Sequence, residues 1–148
     1  MRLVIQRVSE ASVSIDKNRI ASIANGLLVL VGIEHEDNQE DIDWLVKKTC
    51  GMRIFNDDEG KMNRSVVDVA GELLIVSQFT LHASTKKGSR PSFIAAAKPD
   101  VAIPFYDEFI RKCRELVSVQ TGKFGADMKI SLTNDGPVTI FLDSKQKA

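Results

Sequence analysis

The run Leu27-Leu28-Val29-Leu30-Val31-Gly32-Ile33 offers an apolar side chain at almost every position. Successive side chains on a strand point to opposite faces, so a strand of this kind needs cover on both. It predicts a central strand inside a layered domain. A second run, Gly71-Glu72-Leu73-Leu74-Ile75-Val76-Ser77, repeats the pattern of Gly26 to Gly32, and a helical pattern follows each. That hints at a repeated strand–helix unit.

The helices are marked by period. Asp37-Asn38 offers a cap before Gln39 to Cys50, where Ile42, Leu45, Val46, Thr49 and Cys50 share one face and Gly51 supplies a stop. Asp100 is the expected cap of a second helix, with Pro104 in its first turn and a stripe of Phe105, Phe109, Ile110, Cys113, Leu116 and Val117. The remainder alternates. Leu3, Ile5, Val13 and Ile15 predict one long bent strand with a bulge near Ser9-Glu10-Ala11-Ser12. Asp16-Lys17-Asn18 reads as a turn into a strand over Arg19 to Ala24, and Asn25-Gly26 as a second hairpin. Met128 to Leu132 and Val138 to Leu142 read as two strands separated by Asn134-Asp135-Gly136-Pro137. The acidic cluster Asn56-Asp57-Asp58-Glu59-Gly60 lacks the alternating ligands of a calcium loop and reads as a solvated hairpin.

Many strands with two helices predict an α+β class: a layered β/β/α domain with strongly bent mixed sheets and both helices on one side. A chain of 148 residues is expected to form one domain, residues 1–148. Lysine plus arginine equals aspartate plus glutamate, so no global field draws the molecule to RNA, DNA or a membrane, and any nucleic-acid contact must come from a local patch. Cys50 and Cys113 lack metal-ligand spacing and read as reduced, buried thiols. The first residues show no signal-peptide anatomy and no apolar run reaches the length of a membrane span, so a cytoplasmic protein is expected. Open sheet edges in such a fold favour a homodimer that covers them.

Chemistry is best placed at Ser77-Gln78-Phe79-Thr80-Leu81-His82, where a buried strand runs out into a loop. Ser77, Thr80 and His82 invite a nucleophile–base reading, yet no acid is placed to orient a histidine. A histidine beyond a strand end reads as a surface or capping residue. Main-chain amides at the strand end offer a different resource, an oxyanion hole that requires no particular side chain. Gly136-Pro137 has no reactive side chain either; its sharper reading is a rigid kink whose carbonyls face a ligand. Lys86-Lys87-Gly88-Ser89-Arg90 is a basic loop suited to RNA or to plain solvation.

Ser77-Gln78-Phe79-Thr80-Leu81 together with Asn134-Asp135-Gly136-Pro137-Val138-Thr139 resembles the paired signatures of D-aminoacyl-tRNA deacylases. The resemblance extends through Gln6-Arg7-Val8, Met52-Arg53-Ile54-Phe55, Gly60-Lys61-Met62-Asn63, Arg90-Pro91-Ser92-Phe93 and Gln120-Thr121-Gly122-Lys123-Phe124. It implies an editing hydrolase that cleaves the ester between a D-amino acid and the terminal adenosine of tRNA, without metal or cofactor. It also implies a homodimer in which a Gly-cis-Pro of one subunit reaches the active site of the other. On that resemblance, Gly136 and Pro137 form the chirality-selective wall, and Gln78 and Phe79 supply amides at the ester carbonyl. Ser77 and Thr80 line the same pocket, and Arg7 holds the Gly-Pro loop. RNA contact, if any, falls to Lys86, Lys87 and Arg90 of the basic loop, with a solvated turn as the alternative. Two other readings compete: a non-catalytic dimeric nucleic-acid-binding module, and a small-ester hydrolase using His82 as base.

Overall fold

The computed structural model describes residues 1–148. Strand β1 (Arg2–Ile15) turns at Asp16-Lys17, both with positive φ, into β2 (Asn18–Ile23), which continues into β3 (Gly26–Gly32). Two left-handed residues in a row match the twist of a two-residue hairpin. β2 pairs with the second half of β1, from Ile15↔Asn18 to Ala11↔Ile23. β3 pairs with the first half, from Val8↔Gly26 to Arg2↔Gly32. β2 and β3 therefore lie in line along the same edge of β1.

This corrects the hairpin expected at Asn25-Gly26, which is an in-line bend. The glycine is there for another reason: a Cβ on Gly26 would sit 1.9 Å from the carbonyl oxygen of Glu72. Close backbone approach, and not chain reversal, selects the residue.

Helix α1 (Gln39–Gly51) leads from β3, through the short hairpin β4 (Phe55–Asn56) and β5 (Met62–Arg64), to β6 (Glu72–Ser77). Asn38 caps α1 in a reciprocal box with Asp41, and Gly51 is its last residue rather than the residue beyond it. The acidic loop between β4 and β5 is turn chemistry, with the Asp57 carboxylate accepting the amides of Glu59 and Lys61. Helix α2 (Pro99–Arg114) leads to β7 (Ser118–Thr121), and β8 (Lys129–Asp143) closes the chain. Lys98, not Asp100, occupies the cap of α2, and Pro104 lies inside the helix. Its buried residues are Ala102, Tyr106, Phe109, Ile110 and Cys113; Leu116 lies beyond the helix and is exposed.

β6 runs parallel to β3 and β7 runs parallel to β6, so the two similar sequence runs lie side by side. Each crossover carries one helix, and the helices pack on the same face. Leu27, Val29, Val31, Leu73 and Ile75 meet Ile42, Leu45, Phe109 and Ile110 in the larger core. The alternate residues Leu28, Leu74 and Val76 meet Val8, Ala11, Val13, Ala21 and Ile23 in a second core. That second core forms because one six-stranded sheet bends back over itself, until the Ser22 amide donates to Gln120 Oε1 at 3.0 Å. The two β layers are thus halves of a single sheet. Each fully buried leucine or isoleucine contributes on the order of 2 kcal/mol, and both faces of β3 and β6 collect that term.

β8 was expected as two strands joined by a turn, and it is one strand running antiparallel to β1. Its second half pairs from Thr139↔Gln6 to Asp143↔Arg2, and its first from Lys129↔Ser14 to Asn134↔Val8. Between them Asp135, Gly136, Pro137 and Val138 bulge out opposite Arg7. No helix is long and apolar enough to cross a membrane.

The bend at residue 26 yields a paired stability test. Gly26→Ala should destabilise the fold by about 3 kcal/mol or more in urea denaturation, because neither backbone can retreat. Gly51→Ala, where an added Cβ meets nothing within 4 Å, should be neutral or stabilise by up to ~1 kcal/mol. Equal midpoints for the two variants would contradict the close approach.

Candidate active site

Because β3, β6 and β7 are parallel, their carboxyl ends gather at one edge of the sheet. In sheets of this kind the crevice beyond the strand ends is where ligands collect. Here it is a cleft of about 240 Å³, lined by Val31, Val76, Ser77, Gln78 and Phe79 on the strand side and by Phe124 and Met128 on the loop that closes it.

Beyond β6 the chain makes a single 3-10 turn, Phe79–His82. Gln78, just before it, donates its amide to the carbonyl of Val31 at 2.7 Å, extending the pairing of β6 with β3 by one residue. Its carbonyl accepts from the Leu81 amide, closing the turn. The amides of Phe79 and Thr80 have no acceptor in the chain. The first amides of any helical turn lack internal partners, and this turn starts at Phe79, which lines the cleft. The expectation that Gln78 and Phe79 supply the free pair is thereby corrected: the Gln78 amide is consumed by the sheet, and the free pair is Phe79 and Thr80.

The side chain of Gln78 has a different task. Its Nε2 donates to Thr80 Oγ1 at 2.6 Å. A hydroxyl that accepts from an amide is oriented but not made more nucleophilic, because no base takes its proton. His82 is not that base, nor the surface residue expected of it. It is buried, with Nδ1 turned to Glu34 Oε2 at 3.7 Å and Nε2 without a partner. Burial lowers its imidazole below the ordinary histidine value and favours the neutral ring, against the opposing influence of a backbone hydrogen bond at Gly32 and of Glu34. Ser77, Thr80 and His82 do not assemble into a triad, and the small-ester hydrolase that needed a histidine base loses its base.

The Gly136–Pro137 peptide bond is cis, and both residues are exposed on the β8 bulge. Neither lines the cleft of its own chain. Arg7 braces the bulge from below. Its Nε donates to the Asp135 carbonyl at 3.1 Å and its Nη1 to the Ile54 carbonyl at 2.7 Å. Asn134 Nδ2 closes the neck by donating to the carbonyls of Arg7 and Val138. At Gly136 φ is +130°, and a Cβ would lie 2.9 Å from both Arg7 Nη2 and Val138 Cγ2. Only glycine suits that backbone and that space.

Lys86, Lys87 and Arg90 are exposed in a loop whose ends are tied by reciprocal hydrogen bonds between the backbones of Ser84 and Ser92. None of the three forms an ion pair. From Leu73 to Pro99 the sequence has no aspartate or glutamate, and the acidic neighbour of this edge is Glu34, which shares a pocket with Arg2 and Lys86.

The family model for D-Tyr-tRNA(Tyr) deacylase matches residues 4–143. The chain belongs to that family. A D-aminoacyl-tRNA deacylase of Flavobacterium johnsoniae is 60% identical, and one of Christiangramia forsetii 61%, each covering 99% of both chains. Among solved structures, one described as c-Myc DNA unwinding element binding protein is 41% identical with a TM-score of 0.92, over 97% of this chain and 98% of that one. A probable eukaryotic D-amino acid tRNA deacylase shares the fold at 17% identity and a TM-score of 0.82, over 95% and 97%.

Arg7 is the residue whose bonds make the clearest forecast. Arg7→Met leaves two carbonyls without their donor and should cost about 3 kcal/mol. Hydrogen exchange at the backbone of residues 134–139 should rise well beyond that of β1's other partners. Arg7→Lys, with one compact ammonium in place of a fork, should recover less than half of the loss.

Proposed function

We propose that the chain is an editing hydrolase that cleaves the ester of D-aminoacyl-tRNA, releases the free D-amino acid, and rejects the L-aminoacyl ester. The observation that carries this reading is the pair of unpaired amides at Phe79 and Thr80, in the turn that begins at a cleft lined by Ser77, Gln78 and Phe79, in a chain of the deacylase family. Two neighbouring amides without a backbone acceptor suit the oxygen of an ester carbonyl, whose charge grows as the tetrahedral intermediate forms.

Attack by water, helped by the neighbouring 2′-hydroxyl of the terminal adenosine, asks least of the protein. Positioning and oxyanion stabilisation then supply much of the rate. Ser77 and Gln78 shape the pocket, and Gln78 orients Thr80 within it. Lys86, Lys87 and Arg90 hold the phosphates of the acceptor end.

Handedness is sensed by Gly136 and Pro137 supplied by a second copy of the chain. An L- and a D-residue differ only by exchange of hydrogen and side chain at one carbon, so a filter must fix the amino group and carbonyl and obstruct one remaining direction. Main-chain carbonyls on a braced loop serve both ends: they accept from an ammonium group and cannot swing aside. Two features support donation across an interface. The bulge is exposed and absent from its own cleft, and β8 pairs with β1 alone, so its outer edge, with Phe141 and Leu132 exposed, is open to a partner.

A binding module without catalysis is the second reading. The acid-free stretch that carries Lys86, Lys87 and Arg90 and the description of the 41% identical solved relative favour it. Incubation with matched D- and L-aminoacyl-tRNA separates the two: chiral release supports the hydrolase, and no release from either supports the module.

A wall that only obstructs an L-side chain has nothing to obstruct in glycine, so glycyl-tRNA should be hydrolysed measurably alongside the D-ester. Complete resistance of glycyl-tRNA would show that the pocket demands a D-side chain. Thr80→Ala should stay within about tenfold of the wild-type rate, since the residue keeps its amide. A loss of about 10⁴-fold would reinstate the threonine hydroxyl as nucleophile.

A further inference from the structure

We propose that Gly32 and Arg2 are positioning residues for the hydrolysis: Gly32 is the seat, and Arg2 the clamp, of the turn that carries the Phe79 and Thr80 amides. The inference rests on the oxyanion role given to that turn in the preceding reading. Its geometry stands on other atoms, those that hold the turn to the ends of β3 and β8.

A single turn of four residues does not support itself. The bonds at its ends run from the Leu81 amide to the Gln78 carbonyl at 3.3 Å and from the Ala83 amide to the Thr80 carbonyl at 3.1 Å. Fixing so short a turn is unfavourable in isolation, so its place must be set from outside. Gly32, the last residue of β3, supplies one boundary. A Cβ there would lie 2.9 Å from Leu81 Cβ, 3.0 Å from the Gln78 carbonyl oxygen and 3.2 Å from His82 Cδ2. Gly32 has no positive φ, so the closeness of the turn, and not backbone conformation, excludes a side chain. The buried His82 ring rests against Gly32 and turns its Nδ1 toward Glu34.

Arg2 supplies the other boundary. Its Nη1 donates to the Leu81 carbonyl at 2.9 Å while its Nε donates to Asp143 Oδ2 at 3.0 Å. Asp143 ends β8 and pairs with Arg2 across the β1–β8 ladder, so one planar guanidinium ties the turn to the frame of the sheet. The seat stops the turn from sinking toward β3, and the clamp stops it from lifting away. An oxyanion donor acts over a narrow range of distance, and misplacing a group at a reacting centre by about 1 Å can cost on the order of 100-fold in rate. Gly71 offers a matched contrast. A Cβ there would meet Val66 Cγ2 at 3.0 Å and the Asn25 carbonyl oxygen at 3.1 Å, a comparable crowding, yet Gly71 precedes β6 and the turn follows it.

The test compares Gly32→Ala, Arg2→Met, Arg2→Lys and Gly71→Ala in the full chain. In nitrogen–proton correlation spectra the Phe79 and Thr80 amide signals should move in Gly32→Ala and Arg2→Met and stay in place in Gly71→Ala. With D-aminoacyl-tRNA, Gly32→Ala should lower kcat about 30-fold or more and Arg2→Met about tenfold, each with KM within about threefold of wild type. Arg2→Lys keeps the charge but cannot hold both acceptors in one plane, and should recover part of the kcat lost in Arg2→Met. Gly71→Ala should lower the unfolding midpoint and leave kcat within about twofold of wild type. The Arg2 side chain is 31% exposed, so its variants carry the test should Gly32→Ala not fold. Stationary Phe79 and Thr80 signals in Gly32→Ala and Arg2→Met would overturn the proposal, as would displaced signals with an unchanged kcat. So would an equal loss of kcat in Gly71→Ala, since the effect would then be a general loosening of the fold. The amide signals are read without substrate, so a wild-type protein that releases no amino acid would refute the hydrolase reading while the spectra still decide the seat.

Discussion

Strand β1 is paired along both edges over most of its fourteen residues, and this double pairing holds the rest in place. On one edge β2 and β3 run in line; on the other, β8 covers almost the same length. A strand paired on both sides over that distance cannot stay flat, because twist accumulates along it. The bend that results encloses the second core, and β3, carried on the near half of β1, becomes the foundation for the parallel strands that build the cleft.

The pairing with β8 shifts register between Gln6 and Val8 and again between Val8 and Glu10, and the wider break lies opposite Arg7. A buried guanidinium there does what the missing ladder bonds would have done, satisfying Asp135 and Ile54 carbonyls with a planar fork of donors. Four residues of β8 leave the sheet without loosening it. Rigid structure on both sides and a braced neck turn a bulge into a defined protrusion.

Much of this was legible in the residues. Apolar side chains on both faces of Leu27–Val31 announced a covered strand, and the cap at Asn38 and the stripe on α1 were readable from Asp37-Asn38 and the spacing of Ile42, Leu45 and Val46. The failures have physical causes. Asn25-Gly26 has the composition of a hairpin turn, but the glycine answers to Glu72, a residue far along the chain that local pattern cannot reveal. Gly136-Pro137 between two alternating runs looks like a turn because sequence shows the punctuation and not the partner strand that carries on past it. The Gln78 amide, expected to be free, is spent on the Val31 carbonyl, one position before the turn. Whether an amide is spent in the sheet depends on where β3 ends beside β6, which is a tertiary fact. The burial of His82 was hidden for the same reason.

The unpaired amides of Phe79 and Thr80 have a consequence for how such a site varies over time. An amide hydrogen belongs to the main chain, and no replacement of side chain removes it, proline excepted. Drift in side-chain chemistry can therefore proceed through this turn while the two donors persist. Scanning the turn with alanine leaves them untouched; exchanging the peptide nitrogen for an ester oxygen deletes one cleanly.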